Sequence, residues 1–407
     1  MRILIYGGSF NPPHIGHVRS VQAAARALEP GRIFLIPAAA PPHKALAEDS
    51  PDSADRLEMT RLAALNIEGA ETLDMELRRE GKSYTSDTLR ELKARFPEDE
   101  LVFLVGTDML ITLPDWHEPE VILSLASVAV FSRETGREDE IEQAARRLRE
   151  KYSAVVYIIP GEPVEVSSTR VRALLKERRG RGLLPDAVYS YIIRKRLYGA
   201  KPDLCWLRMQ AYAYLKPKRI PHVQGVEAEA VKLADRWGTS AEDAAEAAIC
   251  HDITKKIERE DQLRLCDKYG IITDNTERAS DKLMHAMTGA ALAGELFGLS
   301  DAVKNAIRWH TTGRPCMTPL EKITYLADYI EPNRFGFDGL EELRHTCYVD
   351  LDAAMELAMR MSLDEVLGKG QAPQQNTVSG WRYYRSILQQ RGIEPVRAAG
   401  IPDEIEI

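Results

Sequence analysis

Cysteine is scarce in this chain of 407 residues: there are five, an odd number, and none stands in a Cys-x-x-Cys pair. Cys205, Cys250, Cys266, Cys316 and Cys347 therefore read as reduced thiols in a cytoplasm, not as a disulfide frame or a zinc site. Long apolar runs are missing as well. The longest, Val121–Phe131, is about half of a membrane span and is interrupted by serines. The few residues before the first glycines are too short for the apolar core of a signal peptide, so neither a leader nor a membrane anchor is expected. Positive charge is not in excess: 54 Lys and Arg face 62 Asp and Glu, a net charge of −8. That balance disfavours general binding to nucleic acid or to anionic membranes. Internal repeats and low-complexity tracts are absent. What remains is an ordinary apolar fraction of 44% and a length that allows two or three domains.

The chain changes texture near its middle. Up to about residue 198, short apolar segments alternate with amphipathic ones. Ile3–Tyr6, Ile33–Pro37, Thr72–Leu77, Leu101–Val105, Ser127–Phe131 and Val155–Ile159 read as strands. Val18–Leu28, Ser53–Asn66, Ser86–Phe96 and Glu138–Lys151 read as helices between them. Such alternation predicts an α/β fold, a doubly wound parallel sheet that binds ligands at the carboxyl ends of its strands. After Gly199-Ala200-Lys201-Pro202 the pattern is helical, with segments such as Val226–Trp237, Ala241–His251, His285–Phe297, Asp301–His310 and Leu320–Ile330. The expected organisation is an α/β domain over 1–198, a linker over 199–204, an all-α domain over 205–395 and a tail over 396–407.

The first half carries its chemistry at His14-Ile15-Gly16-His17, reached through Gly7-Gly8-Ser9-Phe10-Asn11-Pro12-Pro13 directly after the first strand. Glycines let backbone N–H groups approach an anion, and a helix starting at Val18 would turn its positive end to the same place. Pro41-Pro42-His43-Lys44 follows the second strand, at the same end of the sheet. Ser167-Ser168-Thr169-Arg170-Val171-Arg172 opens a helix with hydroxyl caps and two arginines in its first turn, unfavourable there unless an anion is present. Ser83-Tyr84-Thr85 begins another helix, and Val105-Gly106-Thr107-Asp108 ends a strand, with Trp116 eight residues beyond the aspartate. A hydroxyl and an indole suit a polar aromatic ring.

Together these segments resemble the bacterial nicotinate mononucleotide adenylyltransferases. The resemblance implies transfer of AMP from ATP, with Mg²⁺, to nicotinate mononucleotide, giving nicotinate adenine dinucleotide and pyrophosphate. It implies that His14 and His17 hold the ATP phosphates and that Gly7, Gly8, Ser9 and Phe10 line the transferred phosphate. Lys44, Arg170, Ser168 and Thr169 would bind the β- and γ-phosphates, with Lys44 and Arg170 catalytic alongside the two histidines. Thr85 and Trp116 would recognise the nicotinate ring, with Gly106 and Asp108 organising that pocket. Two positions depart from the family pattern: Ser9 where Thr is common, and His117 where another aromatic is usual. Nicotinamide mononucleotide and phosphopantetheine remain alternative acceptors. Aminoacyl-tRNA synthetases also carry His-x-Gly-His, but no lysine-rich Lys-Met-Ser-Lys-Ser loop is present.

The second half places His222, His251-Asp252, His285, His310 and Asp328 in helical sequence, out of only nine histidines in the chain. A mixed His/carboxylate set suits Fe, Mn, Co or Zn, and six ligands are enough for two metals bridged by Asp252. The order His…His-Asp…His…His…Asp resembles the HD-domain metal-dependent phosphohydrolases. The finer pattern, with Gly225, Lys255, Thr311, Gly313 and Asp328-Tyr329-Ile330-Glu331-Pro332-Asn333-Arg334, resembles the subfamily that cleaves diadenosine tetraphosphate into two ADP. It implies one or two divalent metals, iron first, with Asp252 and Lys255 catalytic and Arg334 on the polyphosphate. The alternatives are another nucleotide substrate or a regulatory HD module. The partners expected are small-molecule nucleotides, and an oligomer is compatible with the sequence.

Overall fold

A computed structural model describes residues 1–39, 47–79, 81–131, 136–161, 164–273, 278, 280–336 and 338–393. The chain forms two compact units, Met1–Pro202 and Asp203–Ile407.

The first unit is built on a parallel sheet of β1 (Arg2–Gly8), β2 (Arg32–Pro37), β3 (Ala70–Thr72), β4 (Glu100–Val105), β5 (Ala126–Phe131) and β6 (Val156–Ile159). The strand order is β3-β2-β1-β4-β5-β6. Ile3, Leu4 and Ile5 are almost wholly buried, as a central strand covered on both faces requires. Ile5 pairs with Phe34 of β2 and with Phe103 of β4. Chain order reverses between β1 and β4, so the crevice of a doubly wound sheet opens where these two strands end.

The helices are α1 (Ile15–Leu28), α2 (Ser53–Ala64), α3 (Thr85–Arg95), α4 (Thr107–Thr112), α5 (Pro119–Leu125), α6 (Glu138–Tyr152), α7 (Ser168–Lys176) and α8 (Asp186–Lys195). On one face of the sheet Ile3, Phe34, Phe103 and Val128 pack with Leu89 of α3 and Leu148 of α6. Burying each such side chain contributes about 1.5–3 kcal/mol.

Three local expectations change. The helix predicted from Val18 starts at Ile15, because His14 and His17 cap it. Gly7 and Gly8 are strand residues paired with Ile36 and Pro37, so the turn begins at Ser9. Of Thr72–Leu77 only Thr72, the last residue of β3, is in a strand. Leu73 N–H still donates to Leu35 O, and then Leu77 N–H donates back to Asp74 O and closes a turn.

The second unit is helical: α9 (Leu204–Tyr212), α10 (Ile220–Trp237), α11 (Ala241–Cys250), α12 (Arg259–Tyr269), α13 (Asp281–Phe297), α14 (Asp301–Trp309), α15 (Pro319–Ile330), α16 (Leu340–Val349), α17 (Leu351–Gly368) and α18 (Gln375–Gln390). Helix α11 is at its centre, in contact with α10, α13, α14 and α15. Its alanines 244, 245, 247 and 248 are buried, and their small size lets the neighbouring backbones approach. Helix α15 is started by a reciprocal cap between Thr318 and Glu321, with Pro319 in its first turn. Among the described residues, no helix is long and apolar enough to cross a membrane.

Candidate functional sites

In the first unit a cleft of about 560 Å³ opens at the ends of β1 and β4. That is the size of a nucleotide or drug-like ligand. One wall is the mouth of α1. His14 and His17 cap the helix: His17 Nδ1 accepts from His14 N–H at 3.0 Å, and His17 N–H donates to His14 O at 2.9 Å. Their rings stack at 3.7 Å between centroids. Because a backbone N–H donates to Nδ1, neutral His17 carries its proton on Nε2, where it is a hydrogen-bond donor.

The loop from Ser9 to Pro13 is held from several sides. Ser168 Oγ donates to Pro12 O at 2.9 Å, and Arg172 Nη1 donates to Asn11 O at 2.8 Å. Asn11 Oδ1 accepts from Tyr198 OH at 2.8 Å. Buried Arg56 donates to Ser9 O at 3.1 Å, Ala38 O at 2.6 Å and Ala39 O at 3.3 Å. Its guanidinium thus ties the loop after β1 to the loop after β2.

The opposite wall is the start of α3 with the segment after β4. Thr85, Tyr84, Trp116 and His117 line it. The Tyr84 and His117 rings lie 4.2 Å apart, and Trp116 Nε1–H donates to Thr112 Oγ1 at 3.3 Å. Glu76, 7% exposed, lines the same wall and accepts from Thr88 Oγ1 at 2.7 Å. Burial raises its carboxyl above the usual range, beyond what Thr88, Arg79 and Ser83 recover.

In the second unit His222, His251, Asp252, His285 and His310 are all buried. Asp252, which follows α11, is their centre. Its Oδ1 lies 3.2 Å from His285 Nε2 and 3.9 Å from His310 Nε2; its Oδ2 lies 3.2 Å from His251 Nε2 and 3.9 Å from His222 Nε2. Three of the imidazoles are fixed from behind. His222 Nδ1 is 3.1 Å from Glu331 Oε1, His251 Nδ1 is 2.7 Å from Ala248 O, and His310 Nδ1 is 2.6 Å from Ile307 O. Each of these partners only accepts, so each Nδ1 carries the proton and each Nε2 turns a lone pair inward.

Neither His222 Nε2 nor His251 Nε2 makes a hydrogen bond among the described residues. His222 Nε2 nevertheless faces Asp328 Oδ1 at 3.0 Å. Two lone pairs at that separation repel unless a cation lies between them, so the donor set fits a metal ion. Two groups have ligand atoms close enough to hold one, His222–His251–Asp328 and His251–Asp252–His310, with His251 in both.

Charge in this site is balanced internally. Arg219 Nε is 2.5 Å from Asp252 Oδ2, Lys255 Nζ is 3.0 Å from Oδ1, and Arg334 Nη2 is 3.1 Å from Asp328 Oδ1. Burial opposes ionisation of Asp252, while the Lys255 ammonium beside it favours the charged form, and the carboxyl is held well below the usual range. Burial holds His310 well below the ordinary imidazole range, so it is neutral.

Residues 5–174 match the cytidylyltransferase-like family. A probable nicotinate-nucleotide adenylyltransferase of Citrifermentans bemidjiense is 39% identical over 213 residues, which are 49% of this chain and 98% of that protein. One from Lachnoclostridium phytofermentans is 35% identical over 198 residues, 48% of this chain and 98% of that protein. The chain belongs to the nicotinate-nucleotide adenylyltransferase family. Its second half adds an HD domain, matched over residues 219–333, and an HD domain implies a divalent metal. The crystal structure of a predicted HD superfamily hydrolase involved in NAD metabolism from Clostridium acetobutylicum is 34% identical. It covers 46% of this chain and 100% of that one, with a TM-score of 0.44.

In this adenylyltransferase-family chain the cleft gathers Gly7, Gly8, Ser9, His14, His17, Thr85, Asp108, Trp116, Ser168 and Thr169. Phe10 is turned inward, 1% exposed and packed on Tyr6 and His17. Arg170 is exposed and outside the lining, whereas Arg172 is within it. Gly106 caps α4, and Asp108 pairs with Arg137 at 2.7 Å. Lys44 lies outside the described residues, as does the segment read as a tail. His285 belongs to neither metal-holding group, although its Nε2 lies 3.2 Å from His310 Nε2. Sequence reasoning missed Arg56, Glu76, Arg219 and the position of Glu331. Only Arg219 carried a local signal, standing one helical turn before His222.

Proposed function

We propose that the first unit transfers AMP from ATP to nicotinate mononucleotide, releasing pyrophosphate, and that the HD domain hydrolyses diadenosine tetraphosphate symmetrically to two ADP. The first reading is carried by the His14–His17 pair at a helix mouth, facing the Thr85–Trp116 wall across one cleft. The acceptor phosphate is itself the nucleophile, so no general base is required. The residues have to position two anions and stabilise charge at the α-phosphate, with Mg²⁺ arriving on the nucleotide. His14, His17, Ser168, Thr169 and Arg172 stand around the triphosphate in this reading, with Arg170 flanking it, and the sequence motif assigns Lys44 to the β- and γ-phosphates. Thr85, Trp116 and Asp108 form the nicotinate pocket. Such substrates are cytoplasmic, and free cysteines fit that compartment.

Pyrophosphate release should be faster with nicotinate mononucleotide than with nicotinamide mononucleotide or phosphopantetheine. His17→Ala should lower the rate about 10²–10³-fold. Equal use of the three acceptors would overturn the acceptor assignment.

The HD reading is carried by the convergence of His222, His251, Asp252, His310 and Asp328, which would hold the metal. A bound divalent metal, for which this donor set suits iron or manganese, supplies Lewis acidity and lowers the pKa of water. Lys255, Arg219 and Arg334 already neutralise the site carboxylates and stand ready for polyphosphate oxygens. Protein loaded with Fe²⁺ or Mn²⁺ is to be incubated with diadenosine tetraphosphate and the products separated by anion exchange. ADP alone, lost in Asp252→Ala, is the expected result. AMP with ATP would mean an asymmetric cut, and no product would leave a regulatory module.

A further inference from the structure

His222 enters the site from the first turns of α10, and the group behind it comes from the end of α15. Glu331 follows the last residue of that helix and is 2% exposed. Its two oxygens have different partners. Oε1 lies 3.1 Å from His222 Nδ1, and Oε2 accepts from Asn333 N–H at 2.7 Å. Asn333 in turn donates through Nδ2 to Pro221 O at 3.0 Å, next to His222. The carboxylate occupies space that a side chain on α10 would otherwise fill. A Cβ on Gly225, one turn after His222, would come within 2.3 Å of Glu331 Oε2 and 3.0 Å of Asn333 Nδ2. Gly225 is not at a turn; it is an interior residue of α10, where glycine costs roughly 1 kcal/mol against alanine. Its retention in the helix is explained by the room it leaves.

We propose that Glu331 is a positioning residue that fixes His222 as a metal ligand, and that Gly225 is glycine in order to seat it. The inference rests on the metal-binding reading of the HD site but not on its substrate. Glu331 must accept two hydrogen bonds at once, from His222 Nδ1–H and from Asn333 N–H. Only a carboxylate has an acceptor oxygen for each. A glutamine of the same shape has one oxygen and one NH₂. If its oxygen serves Asn333, its NH₂ faces His222 Nδ1 and moves the imidazole proton to Nε2, where it blocks the metal. The conservative substitution is therefore the informative one.

The test uses the full chain, Mn²⁺ as the probe, and three variants: Glu331→Gln, Gly225→Ala and Glu331→Ala. Manganese affinity is measured by competition with a chelator, and the His222 tautomer by ¹⁵N NMR of the metal-free protein, assigned with His222→Gln. Glu331→Gln should weaken manganese binding about 10–100-fold, as loss of an outer hydrogen-bond partner does. It should also shift His222 toward the Nε2–H form while thermal unfolding stays near that of the parent. Gly225→Ala should weaken binding in the same direction, and adding it to Glu331→Ala should weaken binding little further, since both act through one contact. Parent protein that binds no manganese would remove the metal-site reading itself. Parent protein that binds, with Glu331→Gln binding as tightly and His222 unchanged, would overturn the positioning role.

Discussion

A Cβ on Gly16 would come within 2.7 Å of Val166 Cγ1 and 3.0 Å of His14 Nδ1. The glycine of His-x-Gly-His is thus a matter of space, and the histidine it protects is 1% exposed. Gly16→Ala is expected to displace His14 and lower kcat/KM for adenylyl transfer about 10²-fold, the usual cost of a misplaced group of this size. Parent-like kinetics would show that His14 tolerates the shift. Arg56 poses a different case, a cation 2% exposed whose described partners are carbonyl oxygens and not a carboxylate. Burial pulls its pKa down, yet a guanidinium stays charged in proteins. Arg56→Met should strand those carbonyls and cost about 1–3 kcal/mol in urea unfolding. A neutral result would mean that the loops after β1 and β2 find other donors.

Elements differed in how far the sequence disclosed them. Strands β1, β2, β4 and β5 are short continuous apolar runs, buried on both faces, and their length and their spacing between amphipathic segments mark them. Strand β3 is Ala70–Thr72, too short and too polar to announce itself. The alternation of Leu73, Met75 and Leu77 beyond it imitates a strand, although Leu73 and Met75 pack on the core from a turn. The same turn hid Glu76, since a carboxylate in a charged stretch ordinarily faces water. The histidine–aspartate cluster of the second unit was legible because histidine is rare and its order distinctive. Glu331 and Arg56 were not, because their burial arises only when distant segments meet.

Glu76 is the element-scale test, since its carboxyl holds Thr88 in the first turns of α3. A folded pKa raised above the unfolded value means that its contribution to stability is full below the unfolded pKa. That contribution is lost as pH rises through the folded one. Glu76→Gln removes the loss. The stability of the variant relative to the parent should therefore increase as pH rises from about 4 toward neutrality. A difference that stays constant over that range in urea titrations would show that Glu76 ionises in the fold without penalty.

At the scale of the whole molecule, the relatives of the first half match this chain over nearly their full length, so that half has the extent of a complete protein elsewhere. Where the unit stops is a physical question, because the sequence marks its end by a change of texture near residue 198. The structure carries the first unit on to Pro202. Tyr198 is buried and holds Asn11, Ala200 is buried, and Lys201 N–H donates to Leu175 O at 3.0 Å. Pro202 O accepts from Arg178 Nη1 at 2.9 Å, and that arginine is itself 9% exposed. A fragment of residues 1–202 keeps these contacts, whereas one of residues 1–198 leaves a buried guanidinium short of an acceptor and α7 short of a donor. The longer fragment is expected to be more stable by about 1–3 kcal/mol. It should also retain adenylyl transfer within about threefold of the full chain, the range of ordinary context effects on a domain that folds alone. Equal urea midpoints for the two fragments would place the end of the unit at Tyr198. A 1–202 fragment that fails to fold would mean that the first unit depends on the second.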